Sequence, residues 1–187
     1  MKVFIAGSVN KKINPKYLEG IAEIGNYLVK KKHSIICVGA PTGSIGEMYN
    51  TYTKKKGHVD IIVPKPYAWE AEGMEAKSIT KVDTLYMLQQ IALNNTELTI
   101  VLPGGNGTLA ELYMITDSIK SKFDTDKVII YNVNGFYDKV KEMNDFMMEA
   151  GTLEEDQYDF FTFCNTPKEV IDEIEKWENS FKKQFKM

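Results

Sequence analysis

The sequence predicts an α/β fold: a Rossmann-like doubly wound parallel sheet with helices on both faces. Three observations carry this expectation. Short β-rich apolar runs alternate with amphipathic helical stretches, the pattern of strand–helix–strand units. Glycine-rich turns follow several of the strands. The chain has 187 residues, 43% of them hydrophobic, which suits one domain, 1–187, with a substantial core.

The expected strands are Val3–Ala6, Ser34–Val38, Val59–Val63, Leu98–Leu102, Lys127–Tyr131 and Phe160–Cys164. The first helix opens at Asn14-Pro15, a capping residue followed by proline at the first helical position. Its apolar stripe is Leu18, Ile21, Ile24 and Leu28, and Lys30-Lys31-Lys32 closes it, where the helix dipole favours cations. Ile45, Met48 and Tyr52 mark the second helix. Val82, Leu85, Leu88 and Ala92 mark the third, and Leu112, Ile115 and Ile119 the fourth. Phe136, Val140, Met143 and Met147 mark the fifth. Val170, Ile174, Trp177 and Phe181 mark the last, after Thr166-Pro167. Pro64–Thr80 reads as a loop, and the tail Lys182–Met187 is expected to fray.

The glycines fall just after strands. The first strand runs into Gly7-Ser8. The second runs into Gly39-Ala40-Pro41-Thr42-Gly43-Ser44-Ile45-Gly46, and the fourth into Pro103-Gly104-Gly105-Asn106-Gly107-Thr108. Glycine lets backbone N–H groups approach a ligand, and a helix N-terminus adds unpaired donors and partial positive charge. In a 3-2-1-4-5-6 strand order the first and fourth strands adjoin at the switch point where ligands bind. Gly7, Ser8, Gly39, Gly43, Gly46, Gly104, Gly105, Asn106, Gly107 and Thr108 are therefore candidate phosphate- or nucleotide-binding residues. The plainer alternative is that glycines simply punctuate an α/β chain. Gly105-x-Gly107-x-x-Ala110 fits a dinucleotide fingerprint, but it follows the fourth strand and no acidic residue ends the next one, which argues against NAD.

Composition narrows the function classes. The net charge is −3, which disfavours binding nucleic acid through phosphates. All 23 basic residues are lysine, so no guanidinium is present to grip a phosphate in bidentate fashion. Cys37 and Cys164 sit in apolar runs and read as buried reduced thiols of a cytoplasmic protein. Neither they nor His33 and His58 have metal-ligand spacing, so no metal is expected. No apolar run approaches a membrane span, and the apolar start is too short for a signal peptide.

Pro103-Gly104-Gly105-Asn106-Gly107-Thr108-Leu109-Ala110-Glu111 resembles the P-G-G-x-G-T-x-x-E signature of the LONELY GUY (LOG) family. Gly7-Ser8, Gly39–Gly46, Val59–Pro64, Asn132-x-x-Gly135-Phe136-Tyr137-Asp138 and Thr166–Glu169 resemble further family segments in the same order. Members were long labelled lysine decarboxylases and are better described as nucleoside 5′-monophosphate phosphoribohydrolases, often acting on cytokinin precursors. The resemblance implies a homodimer, a nucleoside monophosphate or related ligand, no cofactor, and Glu111 as the catalytic carboxylate. One departure stands out. The family's M-x-x-R-K segment falls, counted back from Pro103, on Leu85-Tyr86-Met87-Leu88-Gln89, so Leu88 occupies the arginine position.

Breaking an N-glycosidic bond builds positive charge on the ribose. A fixed carboxylate stabilises that charge or activates the attacking water. Thr108-x-x-Glu111 also fits a helix capping box, as does Thr166-x-x-Glu169, so Glu111 has a structural reading beside the functional one. Lys81 is the nearest lysine in sequence to stand in for the missing guanidinium. The competing functional reading is a module that binds a nucleotide or phosphate ligand without turnover. Deoxyribosyl transfer is disfavoured because such enzymes lack P-G-G-x-G-T. Lysine decarboxylation is rejected because no motif supports a Schiff-base lysine for pyridoxal phosphate.

Overall fold

The computed structural model describes residues 1–120 and 127–184. Its sheet has seven strands: β1 (Lys2–Ala6), β2 (Ser34–Val38), β3 (Val59–Pro64), β4 (Ser78–Val82), β5 (Leu98–Val101), β6 (Lys127–Tyr131) and β7 (Thr162–Cys164). All pairings are parallel, in the order β4-β3-β2-β1-β5-β6-β7. Val3 pairs with Ile35 on one side and with Leu98 on the other. The six expected strands thus adopt the assumed order, with one further strand at the edge.

The helices are α1 (Ile21–Lys30), α2 (Gly43–Lys54), α3 (Leu85–Asn94), α4 (Asn106–Lys120), α5 (Asp138–Glu149), α6 (Glu155–Tyr158) and α7 (Pro167–Gln184). Alternate strand residues supply two cores. Val3 and Ile5 pack with Ile24 of α1, Met48 of α2 and Ile174 of α7. Phe4 and Ala6 pack with Leu88 of α3 and Leu112 and Ile115 of α4. Each buried aliphatic side chain contributes about 1.5–3 kcal/mol. Both faces are therefore covered, as in a doubly wound fold. Among the described residues, no helix is long and apolar enough to cross a membrane. Cys37 and Cys164 are free and buried.

Five expectations need correction. Pro64–Thr80 is not simply a loop: it holds a 3₁₀ segment, Lys65–Ala71, and most of β4. Four of the five β4 residues are exposed, because an edge strand needs no apolar run. Val82 is consequently the buried end of that strand, and α3 begins at Leu85, capped by the Thr84 hydroxyl, which accepts from the Met87 N–H at 3.1 Å.

The first helix is broken in two. Asn14 caps a 3₁₀ turn, Pro15–Tyr17, and α1 starts only after Gly20. Gly20 takes a left-handed φ of 75°, and a Cβ there would collide with Pro167 and Tyr131. On α5, Met143 is exposed and Asn144 is buried instead, its amide oxygen accepting from the Tyr113 hydroxyl at 2.8 Å. Phe136 precedes α5 and closes the 3₁₀ turn before it. α7 runs on through 184, past the expected fraying point at Lys182. Of that expected tail, 185–187 lie outside the described residues.

Candidate functional site

The loops after β1 and β5 meet where the strand order of the sheet reverses. The Ser8 N–H donates to the Pro103 carbonyl at 3.2 Å. α4 starts at Asn106, immediately after the glycine pair, and the Leu109 N–H donates to the Gly105 carbonyl at 3.0 Å. That start decides between the two readings of Glu111. Thr108 lies inside the first turn rather than at the cap, so the Thr108–Glu111 capping box does not form. The same spacing behaves differently at α7. There the helix begins right after Thr166, whose hydroxyl accepts from the Glu169 N–H at 3.2 Å, while Glu169 Oε2 accepts from the Asn165 N–H at 2.7 Å.

Glu111 faces a cleft of about 570 Å³ at this end of the sheet, a size that suits a small ligand. The β1 loop contributes Gly7, Ser8, Val9 and Asn10, and the α4 side contributes Gly105, Gly107, Thr108 and Glu111. The opposite wall is Val38, Pro64, Tyr67, Glu70, Leu85 and Leu88. Glu111 is 9% exposed, and burial alone pushes its carboxyl from 4.5 up to about 7. No hydrogen bond or ion pair to it is found among the described residues. Glu111 therefore changes charge near neutral pH while facing a ligand-sized space.

Of the ten glycine-loop candidates, Gly7, Ser8, Gly105, Gly107 and Thr108 line the cleft. Gly104 sits beneath the Thr108 side chain, and Asn106 is exposed outside the lining. Gly39, Gly43 and Gly46 are also outside it. Their loop follows β2, one strand further from β5, and packs behind the β1 loop. Gly43 takes a φ of 67° with the Ser8 carbonyl where a Cβ would stand. The Thr42 hydroxyl donates to the Val9 carbonyl at 2.6 Å, and the Ile45 N–H donates to the Ser8 carbonyl at 3.1 Å. This loop shapes the β1 loop rather than facing the cleft.

Sequence reading missed three contributors. Ser44 is fully buried; its hydroxyl accepts from the Ser8 N–H at 2.8 Å and donates to the Pro103 carbonyl at 2.7 Å. Tyr137 donates to the Leu102 carbonyl at 2.6 Å and accepts from the Gly104 N–H. It is held by Asn132, whose Oδ1 accepts from the Tyr137 N–H at 2.6 Å and whose Nδ2 donates to Asp138 at 2.8 Å. The Asn132–Asp138 segment was the available signal for Tyr137. Glu70, on the 3₁₀ segment 65–71, had none.

Leu88 is 2% exposed and serves both the core and the cleft wall. Gln89 is half-buried and outside the lining, and Lys81 is exposed on β4. Among the described residues, no lysine lines the cleft, so none replaces the guanidinium there.

Comparison with known proteins gives a consistent picture. The family described as "Possible lysine decarboxylase" matches residues 45–174. A rice (Oryza sativa subsp. japonica) protein named probable cytokinin riboside 5′-monophosphate phosphoribohydrolase is 25% identical over 97% of this chain and 74% of its own length. An Arabidopsis thaliana protein named cytokinin riboside 5′-monophosphate phosphoribohydrolase is 24% identical over 96% of this chain and 82% of its own. Among solved structures, the molybdenum cofactor carrier protein of Chlamydomonas reinhardtii superposes with a TM-score of 0.71 at 13% identity, covering 95% of this chain and 98% of that one. The molybdenum cofactor binding protein of Rippkaea orientalis superposes with a TM-score of 0.70 at 15% identity, covering 94% and 95%. At such identities the likeness is one of fold.

Proposed function

The chain belongs to the family described as "Possible lysine decarboxylase", which includes the LOG proteins, and we propose that it acts as a nucleoside 5′-monophosphate phosphoribohydrolase. The observation that carries this reading is the buried Glu111 carboxyl facing the same cleft as the start of α4. In this reading the 5′-phosphate rests on the N–H groups of Gly105, Gly107 and Thr108, with Gly7 and Ser8 beside them. Ionised Glu111 stabilises the positive charge that develops on the ribose and takes a proton from the attacking water. The C1′–N bond breaks, its electron pair leaves with the base, and the base takes a proton from solvent. The products are the free base and ribose 5-phosphate.

Lysine decarboxylation does not fit. Pyridoxal phosphate chemistry needs a Schiff-base lysine, and none lines the cleft among the described residues. Leu88 in place of an arginine removes a charge-assisted hydrogen bond worth roughly 1.5–3 kcal/mol. That corresponds to a rate factor on the order of 10 to 200, so turnover is slowed rather than abolished.

Chromatography of wild type and Glu111→Ala with AMP, other monophosphates and a cytokinin riboside monophosphate tests the proposal. Base release by wild type and not by the variant supports it. No release by wild type, beside an active family control, defeats it.

Leu88 favours a second reading, ligand binding without turnover, in keeping with the carrier proteins that share the fold. Calorimetry showing nucleotide binding without base release would select it. In either reading residues 1–187 act as one domain and pair as a homodimer. The exposed Trp69 and Tyr86, close in sequence to Tyr67 and Leu85 at the cleft, support a covered face there. Light scattering of Trp69→Glu against wild type tests it: a fall from dimer to monomer is expected.

A further inference from the structure

One carboxylate of the cleft has no part in the chemistry above. Glu70 follows β3 on the 65–71 segment, is half-buried, and lines the wall opposite α4. No hydrogen bond or ion pair to it is found among the described residues, and no lysine lines the cleft beside it.

Its place in the fold sets its distance from the phosphate end. β3 stands three strand spacings from β5, the strand that leads into α4. That separates the C-terminal ends of the two strands by about 14 Å, close to the length of an extended nucleoside monophosphate, and Glu70 lies just past the β3 end and lines the same cleft as Gly105 and Thr108. Val38, Pro64, Tyr67 and Leu85 line the wall on the Glu70 side. They form an apolar surface suited to a flat ring. A ligand with its phosphate on α4 therefore directs the outer edge of its base toward Glu70.

We infer that Glu70 selects the base, and that it selects a purine whose outer edge carries two adjacent N–H donors, as guanine does. This rests on the nucleoside monophosphate reading. An ionised carboxylate only accepts hydrogen bonds. Guanine offers its ring N1–H and its 2-amino group side by side, which a carboxylate accepts in bidentate fashion. Hypoxanthine keeps the ring N–H and lacks the amino group. Adenine places one amino group beside a ring nitrogen that is itself an acceptor, which a carboxylate repels. Without a lysine in the lining, no cation of the described wall offsets that repulsion.

Calorimetry with GMP, IMP, AMP and ribose 5-phosphate, on wild type and Glu70→Gln, tests the inference, with base release followed in parallel. Wild type is expected to bind GMP on the order of tenfold more tightly than IMP, and more tightly than AMP. Glu70→Gln should lose most of that preference and bind ribose 5-phosphate as wild type does, since the phosphate end is untouched. A wild type that binds GMP and IMP within twofold overturns the inference. So does a preference that survives Glu70→Gln, or a failure of all three nucleotides to bind. The two readings separate cleanly. A GMP preference without base release removes the hydrolase and leaves Glu70 as the selector. Base release without a preference removes Glu70 and leaves the hydrolase.

Discussion

The hydroxyl of Ser44 donates to the carbonyl of Pro103 at 2.7 Å, joining the first turn of α2 to the loop after β5. The same oxygen accepts from the Ser8 N–H at 2.8 Å, so one buried side chain holds the start of α2 and the loops after β1 and β5 together. Ser44→Ala removes both bonds from a site that water does not reach. The expected cost is about 1–3 kcal/mol, with weaker ribose 5-phosphate binding because Ser8 and Pro103 flank the cleft. Urea denaturation and calorimetry check the two effects. A variant as stable as wild type would show that the loops hold without Ser44.

Glu111 makes folding stability depend on pH. Burial raises its carboxyl from 4.5 to about 7, so the folded chain holds this proton more tightly than the unfolded chain does. Its contribution to stability is full below pH 4.5 and is lost as pH rises to about 7. Glu111→Gln cannot ionise. It should match wild type near pH 4 and exceed it at pH 8, by at most about 3 kcal/mol. Denaturation curves at the two pH values decide. A constant difference between the proteins would mean that Glu111 is not desolvated.

The same carboxyl sets a pH–rate profile. If ionised Glu111 takes the proton from water, kcat/KM rises with pH and levels off above about 7. A rate that falls through this range would make Glu111 the acid that protonates the leaving base.

Leu88→Arg restores the family's charge on the cleft wall. Because Leu88 borders both the cleft and the core, the variant should melt lower than wild type. Its rate of base release should rise by a factor on the order of 10 to 200. A folded Leu88→Arg protein that is no faster would show that the missing guanidinium does not limit turnover.

Much of the fold was legible because burial on both faces imposes apolar runs on strands. β1, β2, β3, β5 and β6 all announced themselves in this way, whereas the order of the sheet was assumed from the common doubly wound arrangement and came from the structure. β4 did not, because an edge strand with four exposed residues leaves no apolar signature. Nor did the break at Gly20, where Pro167 and Tyr131, distant in sequence, occupy the space a side chain would need.

The site divides along the same line. The sequence alone determined that backbone donors gather after β1 and β5, and that Glu111 stands one turn beyond them, because glycine runs and their spacing are local properties. Only the tertiary structure decided that Glu111 is no cap, since that depends on where α4 begins. It also decided that Gly39, Gly43 and Gly46 shape a neighbouring loop instead of facing the cleft. And it brought Glu70 to the opposite wall, a side chain whose surroundings in sequence carry no pattern. Contacts between segments far apart in the chain are set by packing across the sheet, and no local spacing encodes them.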